Sequence, residues 1–80
     1  METDQFKVWL VKSVGLGKPS AKDVTSRLSR ASKFVNTRSK IATDDLLHQL
    51  SKHPEFKACT VSVRSQLRRA VRLYRDFLSR

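Results

Sequence analysis

Apolar residues recur at every third or fourth position along most of this 80-residue chain, and this helical period is the feature that most limits its fold. The longest example lies near the C-terminus, where one helical face carries Val63, Leu67, Ala70, Val71, Tyr74, Phe77 and Leu78. No stretch alternates apolar and polar residues for long enough to predict a strand, and only two glycines and two prolines are present. We therefore expect an all-α protein.

Four segments carry this pattern and predict four helices: Thr3–Val14, Ala21–Asn36, Asp44–Lys52 and Val61–Ser79. The connections between them are short, which favours antiparallel neighbours in a small bundle. A chain of this length forms one domain at most and leaves no room for a deep substrate cleft. We predict a single domain over residues 1–80, folded as a compact four-helix bundle.

Local signals mark the ends of the first two helices. Gly15 stands where a C-terminal cap glycine belongs, and Leu16 can fold back onto the last turn. Pro19 is expected to lie in the turn before the second helix. Ser20, followed three residues later by Asp23, is a variant of the capping box and predicts the start of that helix.

Similar signals mark the third and fourth helices. Thr43 is the candidate N-cap of the third helix, which Pro54 is expected to end. Thr60 or Ser62 can cap the fourth helix. Phe56, in the loop between these helices, is expected to close one end of the bundle.

Composition excludes several classes of protein. No run of about 18 apolar residues is present, so no membrane span is predicted. The N-terminal residues include acids where a signal peptide needs bases. The single cysteine, Cys59, forms neither an internal disulfide nor a zinc site, which favours a reducing cytoplasm. No cofactor, metal or small-molecule substrate is expected.

The charge balance favours a polyanionic partner. Seventeen Lys and Arg stand against seven Asp and Glu, a formal net charge of +10. Residues 18–40 carry seven bases and one acid, and residues 60–80 carry six bases and one acid. The remaining residues are close to neutral, so the whole excess lies on the second and fourth helices and their flanking loops.

The bases are also ordered around these helices. At 100° per residue, one stripe beside the apolar face of the fourth helix holds Arg64, Arg68, Arg72 and Arg75, with Arg69 further round. The outer face of the second helix holds Lys22, Ser26, Arg30 and Lys33. Bases interleaved with hydroxyl groups suit contacts to phosphates.

A solvated surface is the alternative explanation of any one basic stripe. Here two stripes occur together, and the like charges at i,i+4 repel one another by a few tenths of a kcal/mol. Only Asp76 lies near Arg64, Arg68 and Arg72 to offset this repulsion. The pattern therefore favours an external polyanion over a solvated surface.

The order of these motifs resembles the core-binding domain of phage-integrase-type tyrosine recombinases. The similarity begins with FKVWLVKSVGLGKPSAKDV, a Phe-x-x-Trp-Leu helix followed by a Gly-Leu turn and a Ser-capped helix. It continues with Phe34 closing the second helix and Asp45-Leu46 opening the third, and it ends with TVSVRSQLRRAVRLYRDFL. It covers nearly the whole chain and implies a SAM-like orthogonal bundle of four helices.

The resemblance implies that the domain grips duplex DNA with its second and fourth helices and has no catalytic role. The implied DNA-binding residues are Lys22, Ser26, Arg30, Lys33, Arg64, Arg68, Arg69, Arg72 and Arg75. The family often has Thr and Tyr where this chain has Asp23 and Arg27. The catalytic domain of the family, with its Arg/His/Arg/Tyr constellation, has no counterpart here, so we predict that this chain is not an enzyme.

The other chemically interesting residues are interpreted as structural. Tyr74 falls on the buried stripe and is not the family's nucleophile, and the spacing of Trp9 indicates a core residue. His48 and His53 flank a short helix without a third ligand and are interpreted as surface residues. Cys59 is expected to be a half-buried small residue.

Two other functions remain open at this stage. A SAM-like protein-interaction module with an incidental basic surface would need an exposed apolar patch, and a membrane-surface binder would need an exposed amphipathic helix. Phosphate contacts alone also leave RNA as an alternative to DNA. We expect the chain to be monomeric in isolation, and an end at Arg80, just after the last helix, suits a fragment of a recombinase.

Overall fold

The computed structural model describes residues 2–80, with side chains from Thr3 onward. It contains five α-helices: α1 Glu2–Trp9, α2 Lys18–Ala31, α3 Thr43–Lys52, α4 Pro54–Lys57 and α5 Val61–Ser79. No strand occurs in this part of the chain, which confirms the all-α prediction. The four longer helices correspond to the four predicted ones, whereas the short α4 was not predicted.

The first helix ends in a π-helical turn, which is wider than an α-helical one. After Trp9 the chain continues as a π-helical turn, Leu10–Val14, and Gly15 then adopts φ 87°. The N–H groups of Gly15 and Leu16 both donate to the carbonyl oxygen of Leu10. Glycine reaches positive φ without steric cost, so the prediction of a glycine cap is confirmed. Leu16 folds back and packs against the core, also as predicted.

The start of α2 differs from the prediction. The helix begins at Lys18, with Gly17 as its N-cap and no side-chain cap bond, so Ser20 and Asp23 are not a capping box. Pro19 lies inside the first turn rather than before the helix. Proline is tolerated there because its missing N–H has no intrahelical acceptor in the first turn.

The end of α2 also differs, because the helix stops at Ala31 rather than Asn36. The Ser32 hydroxyl donates to the carbonyl of Leu28 at 2.8 Å, and the Asn36 side chain accepts from the N–H of Arg38 at 3.1 Å. Such local side-chain bonds offer the backbone an alternative to the helix. Apolar periodicity does not report these local side-chain hydrogen bonds, so it predicted a helix that is too long.

The caps of the later helices confirm one prediction and correct another. The Thr60 side chain accepts from the N–H of Val63 at 3.2 Å and caps α5. Thr43 is instead the first helical residue of α3, and Ala42 is the N-cap, without a side-chain bond. Pro54 follows α3 as expected but opens α4. Phe56 is buried, in α4 rather than in a loop.

The core consists of two hydrophobic clusters. The first joins α1, its π-helical turn, the N-terminal part of α2 and the C-terminal part of α5; its buried members are Phe6, Leu10, Ala21, Val24, Leu28, Ala70, Tyr74 and Phe77. The second joins the end of α2, α3, α4 and the start of α5; its buried members are Ala31, Leu46, Leu47, Leu50, Phe56, Leu67 and Val71.

The membership of these clusters shows how the two longest helices pack. The start of α2 meets the end of α5 in the first cluster, and the end of α2 meets the start of α5 in the second. The two helices therefore run antiparallel along both clusters. They form the central pair of the fold and carry most of the excess positive charge.

Candidate nucleic-acid interface

The predicted binding residues of the second helix are accessible. Lys22, Ser26 and Arg30 lie exposed on α2, whose buried residues occupy its opposite face. Lys33 is also exposed, but it lies in the turn after α2 because the helix ends at Ala31. All four side chains are therefore accessible to a ligand. Lys33, however, lies outside the helix in which it was predicted.

Arg30 joins the basic face of α2 to the connection between α4 and α5. Its Nη2 donates to Sγ of Cys59 at 3.4 Å, and this sulfur donates to the carbonyl of Glu55 at 3.3 Å. Cys59 lies in the connection between α4 and α5. The C-terminal part of the α2 face is therefore next to the beginning of α5.

The five arginines of α5 fall into two groups. Arg69 and Arg72 are exposed, whereas Arg64, Arg68 and Arg75 are half-buried. The guanidinium of Arg68 lies over the Phe56 ring, 5.8 Å from its centroid, a distance typical of a cation–π contact. Arg68 therefore lies along the contact between α5 and α4 instead of facing open solvent.

Arg64 belongs to the same half-buried group. Its Nε is buried and makes no hydrogen bond within the part of the chain that the structure describes. Its other guanidinium nitrogens are not among the buried atoms without partners. Arg64 therefore presents at most part of its guanidinium to a ligand outside the protein.

Arg75 has a different environment from the other predicted binding residues. Its Nη1 donates to the carbonyl of Thr37 at 3.1 Å and also to that of Ser39, while its Nη2 donates to the carbonyl of Ile41. Its Nε donates to Oγ1 of Thr43 at 3.4 Å. The guanidinium thus holds the connection between α2 and α3, from Thr37 onward, against α5.

These bonds change the interpretation of Arg75. A guanidinium has five N–H donors and no acceptor, and here all three of its nitrogens already serve carbonyl or hydroxyl oxygens of the protein. Helical spacing grouped Arg75 with Arg64, Arg68 and Arg72, but spacing along one helix carries no information about a loop that folds over it. We therefore interpret Arg75 as a positioning residue.

The connection that Arg75 holds is itself basic. It carries Lys33 and Lys40, both exposed, and Arg38, whose N–H is bonded to the Asn36 side chain. A bond between the hydroxyl groups of Ser32 and Thr37, at 3.1 Å, further orders it. Lys40 was not among the predicted binding residues, although its charge contributes to the excess on residues 18–40. Its position in a run of bases between two helices was the available signal.

The aromatic residues occupy the places expected from their spacing. Tyr74 is buried, and its ring makes an edge contact with Phe6 at 5.3 Å between centroids. Trp9 is half-buried and packs against Phe77 at 5.7 Å. These contacts support the interpretation of both residues as part of the core.

The histidines and the cysteine have mainly structural surroundings. His48 is exposed, but His53 is half-buried, stacks on Phe34 at 4.7 Å and accepts at Nδ1 from the N–H of Glu55. The surface interpretation of His53 was therefore incomplete, because this residue caps α4. Cys59 is half-buried, as predicted.

The described residues also bear on metal binding and on membrane insertion. No group of three His, Cys, Asp or Glu side chains is placed to hold a metal ion among them. None of the helices described here is long and apolar enough to cross a membrane. No protein-family model, curated protein or solved structure matches the chain.

Proposed function

We propose that this domain binds duplex DNA by contacting backbone phosphates with the exposed basic groups of α2, α5 and the connection after α2. The observation that supports this most directly is the placement of the charge. The excess of +10 lies on α2, α5 and the connection after α2. The exposed cations Lys22, Arg30, Lys33, Lys40, Arg69 and Arg72 have no acidic partner among the side chains from Thr3 to Arg80. Unpaired, solvated cations of this kind release condensed counterions when they neutralise phosphates.

The proposed contacts come from seven side chains, which we name the basic set: Lys22, Ser26, Arg30, Lys33, Lys40, Arg69 and Arg72. All seven are exposed. Lysine and arginine supply charge-assisted hydrogen bonds, and the serine hydroxyl supplies a neutral one. Arg72, which lies near the middle of α5, is the proposed candidate for a contact to a base edge.

The half-buried arginines have supporting roles in this proposal. Arg75 orders the connection that carries Lys33 and Lys40, so these two cations reach the DNA from a fixed backbone. Arg64 and Arg68 are half-buried on α5 and add to the positive potential of the surface. Preorganised cations bind more tightly because less conformational entropy is lost on association.

The resemblance to the core-binding domain of tyrosine recombinases supports the same proposal, because it rests on the order of sequence motifs and not on charge. It implies DNA contacts from the second and fourth predicted helices, which are α2 and α5, and these are the helices on which the unpaired bases lie. We propose that the domain acts as the non-catalytic DNA-gripping part of a recombinase-like protein, as a monomer in the cytoplasm.

Fluorescence-anisotropy titrations of a labelled duplex at several salt concentrations test this proposal. Six cations that contact phosphates predict a log–log slope of about −5 for the association constant against salt. Single-stranded DNA and duplex RNA of the same sequence should bind more weakly. No duplex binding at low salt would refute the proposal, and equal binding of all three nucleic acids would replace it with general polyanion binding.

A further inference from the structure

A groove of about 430 Å³ lies between α1, the π-helical turn and the start of α2, and no residue of α5 lines it. Apolar side chains of Val8, Val11 and Ala21 line it. Val8 is 51% exposed, although valine is usually buried in a domain of this kind. The core therefore leaves an apolar surface uncovered here.

The remaining lining of the groove consists of four lysines: Lys7, Lys12, Lys18 and Lys22. The lining is almost entirely apolar despite this, as expected where lysine methylenes form the walls and the ammonium groups extend to the solvent at the rim. None of the four ammonium groups has an acidic partner among the side chains from Thr3 onward. The groove thus combines an apolar floor with a cationic edge.

This combination discriminates between classes of ligand. A DNA backbone would satisfy the lysines but would place charged phosphates against an apolar floor, which costs solvation energy. A neutral apolar segment would cover the floor and leave four cations without partners. A helix with apolar residues on one face and carboxylates beside them satisfies both parts of the groove.

We propose that this groove is a docking site for an acidic amphipathic helix of a partner protein. Apolar anchors of the partner at helical spacing cover Val8 and Val11, and its flanking Asp and Glu side chains pair with the lysines at the rim. Lys22 belongs to both this rim and the basic set, so the partner helix covers one of the proposed DNA contacts and weakens duplex binding.

The probe is a fluorescein-labelled synthetic helix of about 15 residues, with leucines at i, i+3, i+4 and i+7, glutamates beside them and alanines on the opposite face. Val8→Asp should weaken its binding about tenfold, because it places a carboxylate on the apolar floor beside those of the probe. Val61→Asp is the matched control: Val61 is 69% exposed and does not line the groove. Because both positions are exposed, the variants should keep their helical circular dichroism.

The charged rim is tested with Lys7→Glu and Lys12→Glu together, which should abolish binding of the probe at moderate salt. The matched control is Lys52→Glu with Lys57→Glu, which changes the net charge equally outside the groove. Duplex affinity is measured on the same proteins, so that loss of probe binding is separated from loss of DNA binding. The Lys7 and Lys12 variant should lose less of its duplex affinity than of its probe affinity.

Four results would overturn the proposal. The first is equal binding of the probe by Val8→Asp and the parent protein. The second is equal binding of a probe in which serines replace the leucines, which would indicate charge attraction alone. The third is a parallel loss of duplex and probe affinity in the Lys7 and Lys12 variant, which would assign these lysines to the DNA surface. The fourth is Val8-dependent binding of vesicles rich in phosphatidylserine without binding of the helix.

Discussion

The Nη2 group of Arg75, in the last third of the chain, donates a hydrogen bond to the carbonyl oxygen of Ile41, 34 residues earlier. Together with the bonds to Thr37 and Ser39, it ties the connection between α2 and α3 to the C-terminal part of α5. Backbone carbonyls in such a connection have no helical partner and need a donor from elsewhere. One arginine side chain supplies donors for three of them.

Replacing Arg75 should therefore destabilise the fold. Arg75→Met keeps an unbranched apolar stem and removes every donor, so we expect a loss of about 3 kcal/mol in the free energy of unfolding. Arg75→Lys should recover only part of it, because an ammonium lacks the planar fork that reaches several acceptors. Urea denaturation measures both. Arg72→Met, three residues earlier on the same helix but exposed, should change stability by less than about 0.5 kcal/mol. Equal stability of the Arg75 and Arg72 variants would contradict the stabilising role of the Arg75 hydrogen bonds.

The exposed arginines of α5 should matter for DNA and hardly for stability. We expect Arg69→Ala with Arg72→Ala to weaken duplex binding about tenfold and to reduce the magnitude of the salt slope by about two, one for each lost phosphate contact. Anisotropy titrations over a salt series give both quantities. The double variant Lys52→Ala with Lys57→Ala removes the same charge from α3 and α4 and should retain more of the affinity. An equal loss in both double variants would show that only net charge matters.

Leu67 is the most informative position for the core. It has no exposed surface and packs in the second cluster, so Leu67→Ala should leave a cavity and cost about 2–5 kcal/mol. Thermal and urea unfolding would detect this as a large shift of the midpoint. Val61→Ala, on the same helix but exposed, should leave the midpoint nearly unchanged. A small effect of Leu67→Ala would mean that the second cluster closes around the lost volume.

The N-cap of α5 gives a smaller and equally specific effect. Thr60→Ala removes the acceptor of the N–H of Val63, and we expect a loss of about 1 kcal/mol in stability. Ser62→Ala removes a hydroxyl two residues later, inside the helix, and should be close to neutral. Urea denaturation of the two variants side by side decides between them, because the sequence alone left both residues as candidate caps. A larger loss for Ser62→Ala would show that the cap was assigned to the wrong residue.

Gly15 offers a test of backbone conformation without a change in packing. A Cβ added there would have no heavy atom within 4 Å, so the cost of Gly15→Ala comes from its φ of 87°. We expect a loss of about 1 kcal/mol. Asn tolerates this conformation better, and Gly15→Asn should be intermediate in thermal denaturation. Equal stability of the parent protein and Gly15→Ala would indicate that the turn rearranges at no cost.

Much of the fold follows from the sequence because helical periodicity reports which side chains share a face. The stripe from Leu67 to Phe77 is buried as predicted, and Thr60 and Gly15 act as the caps that their residue types suggest. The errors lie where local signals compete. Ser20 satisfied a capping pattern that Pro19, inside the first turn of α2, overrode. Ser32 and Asn36 ended the same helix before its apolar spacing ran out.

The candidate site was less predictable for a reason of geometry. Angular position on a helix places Arg64, Arg68, Arg72 and Arg75 in one stripe, and it says nothing about which other elements fold over that stripe. Arg72 remains exposed, Arg68 lies over Phe56, and Arg75 is covered by a connection more than thirty residues away. The groove beside Val8 was missed in the same way, because helical spacing could not show that this surface of α1 would stay uncovered.

The division of the core into two clusters has a consequence for how the molecule opens. Helices α3 and α4 contribute to the second cluster alone, and α1 contributes to the first alone. Separating α3 and α4 from α5 exposes the second cluster and leaves the first intact. Backbone amides of α3 should therefore exchange with deuterium through a partial opening, whereas the central amides of α2 and α5 exchange only on global unfolding. We therefore expect α2 and α5 to unfold together as one cooperative pair, and α3 and α4 to separate from them at a lower free energy.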